Sequence, residues 1–152
     1  MITHLPASSS DIPALWELRT RALREQCATH YASDILHTWA SAPAPATYPS
    51  LLARGGGIKA QVEGKLAGYA ILDKERSEVD AVFVDSKFAG RGIGKALLRA
   101  LELLAAQPSA LHLYASLNAV PFYEAAGYRA VKPTQYQHPS GILLDCVVMT
   151  RA

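Results

Sequence analysis

The stretch VDSKFAGRGIGKALLRALELLA, Val84 to Ala105, decides the fold. Gly90, Gly92 and Gly94 alternate directly ahead of the most regular apolar stripe in the chain. Glycine is costly at a helix start unless the backbone must turn unusually or lie close to something. Behind the glycines Ile93, Ala96, Leu97, Ala100, Leu101 and Leu104 recur at helical spacing, and Pro108 stops the run. A helix is therefore expected over about Gly92 to Ala106. Ahead of them EVDAVFV, 78–84, alternates as a strand does. A strand that leads through glycines into a helix gathers unpaired backbone N–H groups at the positive end of the helix dipole. Such a turn is a ready anion site with Arg91 and Lys95 adding charge beside it, although glycines that only make a tight turn against the sheet would give the same spacing.

Two nucleotide-binding loops do not fit. A Walker loop needs a Lys-Ser or Lys-Thr pair after its last glycine, but Ala96 follows Lys95. A Rossmann fingerprint spreads its glycines over six positions, whereas these alternate.

On the N-terminal side, MITHL reads as a strand and SSSDIPALWELRTRALREQC as a helix capped by Ser10 or Asp11, with Pro13 in its first turn. SDILHTWA is a second, short helix capped by Ser33, and SAPAPATYPS a surface loop. IKAQVE and LAGYAIL form a hairpin about Gly64-Lys65, and DKERS is a polar turn. On the C-terminal side come a strand (ALHLYAS), a short helix (NAVPFYEAAG) and two strands, YRAVKP and ILLDCVVMT. This order predicts one domain with a mixed, largely antiparallel sheet flanked by helices on both faces, not a doubly wound parallel one.

The chain has 152 residues, half of them hydrophobic and 18% charged, as in an ordinary globular domain. A formal charge of +2 without a basic run argues against a nucleic-acid partner. No segment is long and apolar enough for a membrane span, and the N-terminus has no signal-peptide pattern, so a cytoplasmic location is expected. Cys27 and Cys146 stand too far apart for a disulfide framework or a zinc pattern. His30 and His37 lack a third ligand at a useful spacing, so no metal is expected.

A second constellation, SLNAVPFYEAAGY, 116–128, follows one strand after the glycine helix. Asn118 sits where a strand ends and a helix begins, and Tyr123 and Phe122 fall on that helix. A tyrosine hydroxyl stays protonated at neutral pH and can give its proton to a leaving anion.

Together, VFVDSKFAGRGIGKALL and SLNAVPFYEAAGY resemble the signature pair of the GNAT family, N-acetyltransferases that use acetyl-CoA. The resemblance covers about Ile58 to Val131 and implies the GNAT fold, with a central sheet of six to seven strands and about four helices. It implies that Val82, Phe83 and Val84 lie along the pantetheine arm and that the amides from Ala89 through Gly90, Arg91, Gly92, Ile93 and Gly94 to Lys95 hold the pyrophosphate. It implies further that Asn118 bonds the pantetheine region, with Phe122 beside it, and that Tyr123 protonates the departing thiolate. The chain departs from the family pattern at Ala89, where Gln or Arg is usual, and at Ser86, where proline is common. The phosphate contacts are mostly main-chain, so Ala89 should weaken binding modestly.

Acetyl transfer to an amine needs a base, because an ammonium has no lone pair. The resemblance points to Glu78 first and Asp80 second, and strict alternation would set both on the face of Val82 and Val84. EQCATHYASDILHTWA brings Cys27, His30, Tyr31, His37 and Trp39 together as an acceptor pocket, with Cys27, His30, Tyr31 and Trp39 as the expected contacts. TQYQHPSGILLD is expected to form a hairpin closing it, with His138 at the tip. Direct attack on acetyl-CoA is expected, since nothing near Cys27 activates a thiolate. A homodimer through C-terminal strands follows by analogy. The competing expectation is a non-catalytic acyl-CoA-binding or protein-interaction module of the same fold.

Overall fold

A computed structural model describes residues 1–152. Its elements in chain order are β1 (Ile2–Pro6), α1 (Ile12–Gln26), α2 (Ser33–Ala40), α3 (Tyr48–Ala53), β2 (Gly57–Val62), β3 (Lys65–Asp73) and β4 (Glu78–Val84). There follow α4 (Ile93–Leu104), β5 (His112–Ser116), α5 (Val120–Ala125), β6 (Tyr128–Gln137) and β7 (Leu143–Arg151). The strands form one seven-stranded sheet in the order β1-β2-β3-β4-β5-β7-β6, antiparallel throughout except where β4 meets β5. This is the mixed, largely antiparallel architecture that the element order predicts.

Helices cover both faces. On one, Ile93, Leu97, Leu98 and Leu101 of α4 pack on Ala60, Ala70, Val79 and Leu113. On the other, Leu15 and Leu18 of α1 and Leu51 and Leu52 of α3 pack on Tyr69, Ile71 and Ala81. α3 corrects one expectation: TYPS is the start of a helix, not the end of a loop. Pro49 sits in its first turn and Leu51 and Leu52 bury its only apolar side, a pattern too short for periodicity to register.

Capping differs as well. A short 3-10 turn, Ser9–Asp11, precedes α1, and the Ser8 N–H donates to Asp11 Oδ2 at 2.8 Å, so Asp11 braces the turn instead of capping α1 with its side chain. Ala32, not Ser33, occupies the N-cap of α2. β6 runs four residues beyond YRAVKP, tolerating Pro133 because it is the edge strand.

The sheet's two halves are pinned through one buried carboxylate. Glu102 on α4 accepts from Tyr128 Oη at 2.9 Å and Arg99 Nη1 at 2.8 Å, and Arg151 Nε lies 3.0 Å from it. This joins α4 to β6 and β7. Glu102→Ala should lower unfolding free energy by about 2–3 kcal/mol in urea titrations, because it strands a buried phenol and two cations.

Candidate active site

β4 and β5 share a single residue pair, Glu78 with His112, and diverge beyond it. The Asp85 N–H donates to Ala67 O at 2.8 Å, which fixes the phase of the β3–β4 ladder. Phe83 therefore turns its N–H and C=O to β3, while Val82 and Val84 turn theirs to the open edge. Part of that edge is already taken: Gln26 Nε2 donates to Val84 O at 3.0 Å. The Val82 amide groups and the Val84 N–H remain free to pair with an amide-bearing chain laid along β4.

The glycine loop follows β4, and its three glycines have different reasons. Gly90 (φ 80°) and Gly92 (φ 75°) are left-handed, and a Cβ built on either meets nothing within 4 Å, so both face open space. Gly94 is tight instead: a Cβ there would lie 3.1 Å from Phe122 Cε1 and 3.4 Å from Val84 Cγ2. Gly92 caps α4, and the first amide to turn back into the helix is Ala96, onto Gly92 O. The N–H groups of Ile93, Gly94 and Lys95 are thus left for an outside acceptor, at the positive helix end, with Arg91 and Lys95 exposed beside them. The approach to the loop is held by Asp85, whose carboxylate accepts from the Lys87 N–H at 3.0 Å and Arg21 Nη2 at 2.9 Å. Burial pushes Asp85 up, but those two partners outweigh it and hold its pKa below the ordinary value.

At the other end of β4, a cavity of about 710 Å³ opens between α1, α2, β4, β5 and the β6–β7 hairpin. Asp80 is the extra residue of a β-bulge, between the pairs Ile71–Ala81 and Leu72–Val79. The bulge breaks the expected alternation. Val79, Val82 and Val84 pack on the α4 side and Ala81 and Phe83 on the α1 side, while Glu78 and Asp80 line the cavity. Asp80 is exposed at the cavity wall, yet the protein packed around its carboxyl displaces enough solvent that desolvation, with Glu78 and Asp73 repelling its charge, raises its pKa to about 6. Burial also raises Glu78, opposed by His112 at 3.8 Å.

Of the expected acceptor-side residues, Cys27, Tyr31 and Trp39 line this cavity, and His30 does not. His30 is exposed in the turn after α1, its Nδ1 3.0 Å from Thr29 Oγ1, and His37 is exposed on α2, whose buried residues are Leu36 and Ala40. The Cys27 thiol donates to Asn118 Oδ1 at 3.2 Å, and burial pushes it up to about 11, the opposite of an activated nucleophile. Asn118 therefore spends its oxygen on Cys27, not on capping α5, whose N-cap is Ala119. Tyr31 Oη donates to Asp145 O at 2.6 Å and accepts from the Leu117 N–H at 3.0 Å, bracing α1 against β5 and β7 across the divergence. Tyr123 is buried against Phe122 and Tyr128 and borders the cavity, and burial drives its pKa far up. His138, Pro139 and Ser140 at the hairpin tip line the cavity, as the hairpin reading expects.

The structure adds Arg19, Tyr48, Tyr114, Ser116 and Tyr136 to the walls. Of these only Arg19 had a readable signal, a charge on the apolar stripe of α1 between Leu15, Leu18, Ala22 and Leu23.

A helix-flanked sheet parted between its fourth and fifth strands, with a glycine loop of free amides at one end of the gap and a carboxylate-lined cavity at the other, defines the class. A family model for the acetyltransferase (GNAT) domain matches residues 27–143, and the chain belongs to the GNAT family of acetyltransferases. It is similar to the uncharacterized N-acetyltransferase YafP of Escherichia coli (strain K12), 27% identical over 122 residues, 80% of this chain and 77% of that one. A GCN5-related N-acetyltransferase structure from Rhodopseudomonas palustris superposes with a TM-score of 0.83 at 26% identity, covering 99% of this chain and 94% of that one. PaiA N-acetyltransferase of Thermoplasma acidophilum, solved in complex with coenzyme A, shares the fold with a TM-score of 0.74 at 17% identity, covering 100% and 99%.

Tyr31→Phe removes one donor and one acceptor and leaves the Leu117 amide without its partner. A loss of about 1–2 kcal/mol in chemical denaturation is expected.

Proposed function

We propose that this acetyltransferase moves the acetyl group of acetyl-CoA to a primary amine by direct attack within a ternary complex. The observation that carries this reading is the unpaired edge of β4, which runs from the glycine loop at one end to Asp80, beside the Glu78–His112 pair, at the other. Bound acetyl-CoA would supply an activated thioester. The amides from Gly90 to Lys95 would hold its diphosphate, and the free groups of Val82 and Val84 would pair with its amide-bearing arm. The N–H of Val82 or Val84 then points where negative charge develops on the acyl oxygen, a fixed donor that needs no reorganisation.

Asp80 receives the proton of the attacking amine, directly or through a water. Its pKa of about 6 lets it stay ionised at neutral pH while being more basic than an ordinary aspartate. Glu78 supports this by raising Asp80 through its own charge. Tyr123 supplies the proton to the leaving sulfur. Its burial without a charged partner keeps the hydroxyl protonated over the whole working range.

The sign of the pH effect follows. Asp80 is a base only when ionised, so kcat/KM should climb as pH rises through about 6 and flatten above it. Asp80→Asn should lower kcat/KM by roughly 10²- to 10⁴-fold and remove that acid limb, checked by thiol release across pH 5–9, a range chosen to bracket about 6. Tyr123→Phe should cut kcat by roughly 10²-fold or more while calorimetry shows the same acetyl-CoA affinity. Unchanged turnover would remove the tyrosine from the chemistry, and absence of acetyl-CoA binding by the native chain would overturn the whole reading.

A further inference from the structure

Arg19 is 3% exposed, in the middle of the buried face of α1, yet no carboxylate lies within ion-pair distance of it. Arg21, Arg54, Arg76, Arg99 and Arg151, all more open to water, each have a carboxylate partner. The guanidinium is instead positioned by neutral groups. Nη1 donates to Ala40 O at 3.1 Å, Nη2 donates to Trp39 O at 3.0 Å, and the plane lies 4.0 Å over the Trp16 ring. Those carbonyls close the last turn of α2 and carry only partial charge. A full cation is thus held rigidly in a low-dielectric wall without an anion, an expensive arrangement unless something else neutralises it.

The side chain lines the cavity. Its Nε–H donates to no protein group, and no fully buried side-chain nitrogen in the structure lacks a partner, so this donor keeps access to the cavity's solvent. The cavity is polarised as a result. Its two carboxylates, Glu78 and Asp80, stand on β4, and its one arginine stands on α1. The hydroxyls of Tyr48 and Tyr69 meet at 3.1 Å; burial dominates their titration, but both also feel Arg19 with one sign and Asp80 with the other. Across the cavity His138 is held below its ordinary pKa first by burial and then by Arg19. Phe83, Trp39, Tyr31 and Leu144 supply much of the remaining wall, and Gln26, Thr47, Ser116, Asn118 and Ser140 add only neutral polar groups to it.

We propose that Arg19 seats a carboxylate of the acceptor, so that the preferred substrate is an amino carboxylate with an apolar body, its amine toward Asp80 and its carboxylate on the guanidinium. This rests on the transfer reaction proposed above and names its substrate class. Guanidinium and carboxylate form charge-assisted hydrogen bonds, and the pair would be desolvated from the start, with Arg19 already oriented by Trp39 and Ala40.

The test pairs phenylalanine, leucine and tryptophan with their carboxamides as acceptors, using acetyl-CoA and thiol release at matched free-amine concentration. The native chain should favour each acid over its amide by roughly ten- to hundredfold in kcat/KM, the discrimination expected of one charged hydrogen bond. Arg19→Gln should collapse that ratio toward one, and Arg19→Lys should retain part of it. A purely structural arginine gives a different result: both substrates fall together in Arg19→Gln and the ratio stays. That outcome, or a native chain that uses acid and amide alike, overturns the proposal. If no amine is acetylated, the transfer reading fails separately. Calorimetry with N-acetylphenylalanine against its carboxamide, in the presence of CoA, then decides the Arg19 seat. Tighter binding of the acid by the native chain and not by Arg19→Gln supports it, and equal binding overturns it.

Discussion

The parting of β4 and β5 is the constraint on which the rest depends. After the one pair between Glu78 and His112, β5 keeps its ladder with β7 while β4 keeps its ladder with β3, and the two halves of the sheet twist apart. The gap would be a defect if it were not braced. Tyr31 reaches from the end of α1 to Asp145 and Leu117 on the far half, and Cys27 reaches Asn118 beside it. Two residues of the acceptor side therefore serve first as props. Only with the halves held apart does β4 present free backbone groups and does a cavity exist between the helices.

Electrostatics in that cavity follow from where the backbone irregularity falls. A regular β4 would have set Glu78 and Asp80 on the face of Val82 and Val84, but the bulge inserts Asp80 as an unpaired residue, so the valines pack toward α4 while the two carboxylates line the cavity. Burial raises both carboxylates, and Glu78 adds to the rise of Asp80 through its charge, so their basicity is the reverse side of their desolvation. The thiol of Cys27 shows the same desolvation without any useful consequence, because nothing cationic is close enough to stabilise a thiolate against burial. Arg19 is near enough to oppose the rise but not to reverse it. A covalent acetyl-cysteine route has no support from this environment.

Much of this was legible because the sequence states local rules plainly. The stripe of α4, the strand before it and Gly90, Gly92 and Gly94 between them are a contiguous pattern, and contiguous patterns survive translation into structure. Even there the glycines divide in a way that spacing does not tell. Gly90 and Gly92 answer to backbone dihedrals, whereas Gly94 answers to Phe122, 28 positions along the chain. His30 and Cys27 illustrate the opposite limit. They stand three positions apart in the same short segment, yet one is buried against Asn118 and the other is in water. The end of a helix reverses the outlook of neighbouring side chains, and no composition argument anticipates that. Arg19 was visible as a charge on an apolar stripe, but its lack of a counter-ion was not, since any carboxylate of the chain might have folded against it.

By itself the sequence determined the order of the elements other than α3, the antiparallel character of the sheet, the glycine turn that opens α4 and the nearness of that loop to the Asn118–Tyr123 segment. These depend on hydrophobic period, glycine dihedrals and residue type, all of which act within a few positions of the chain. Tertiary structure alone decided the third helix, the bulge that sets Asp80, the exclusion of His30 from the pocket and the isolation of Arg19 opposite the carboxylates. Those depend on which distant segments come into contact and on how far each group is removed from water, quantities that exist only once the sheet has parted and the helices have closed over it.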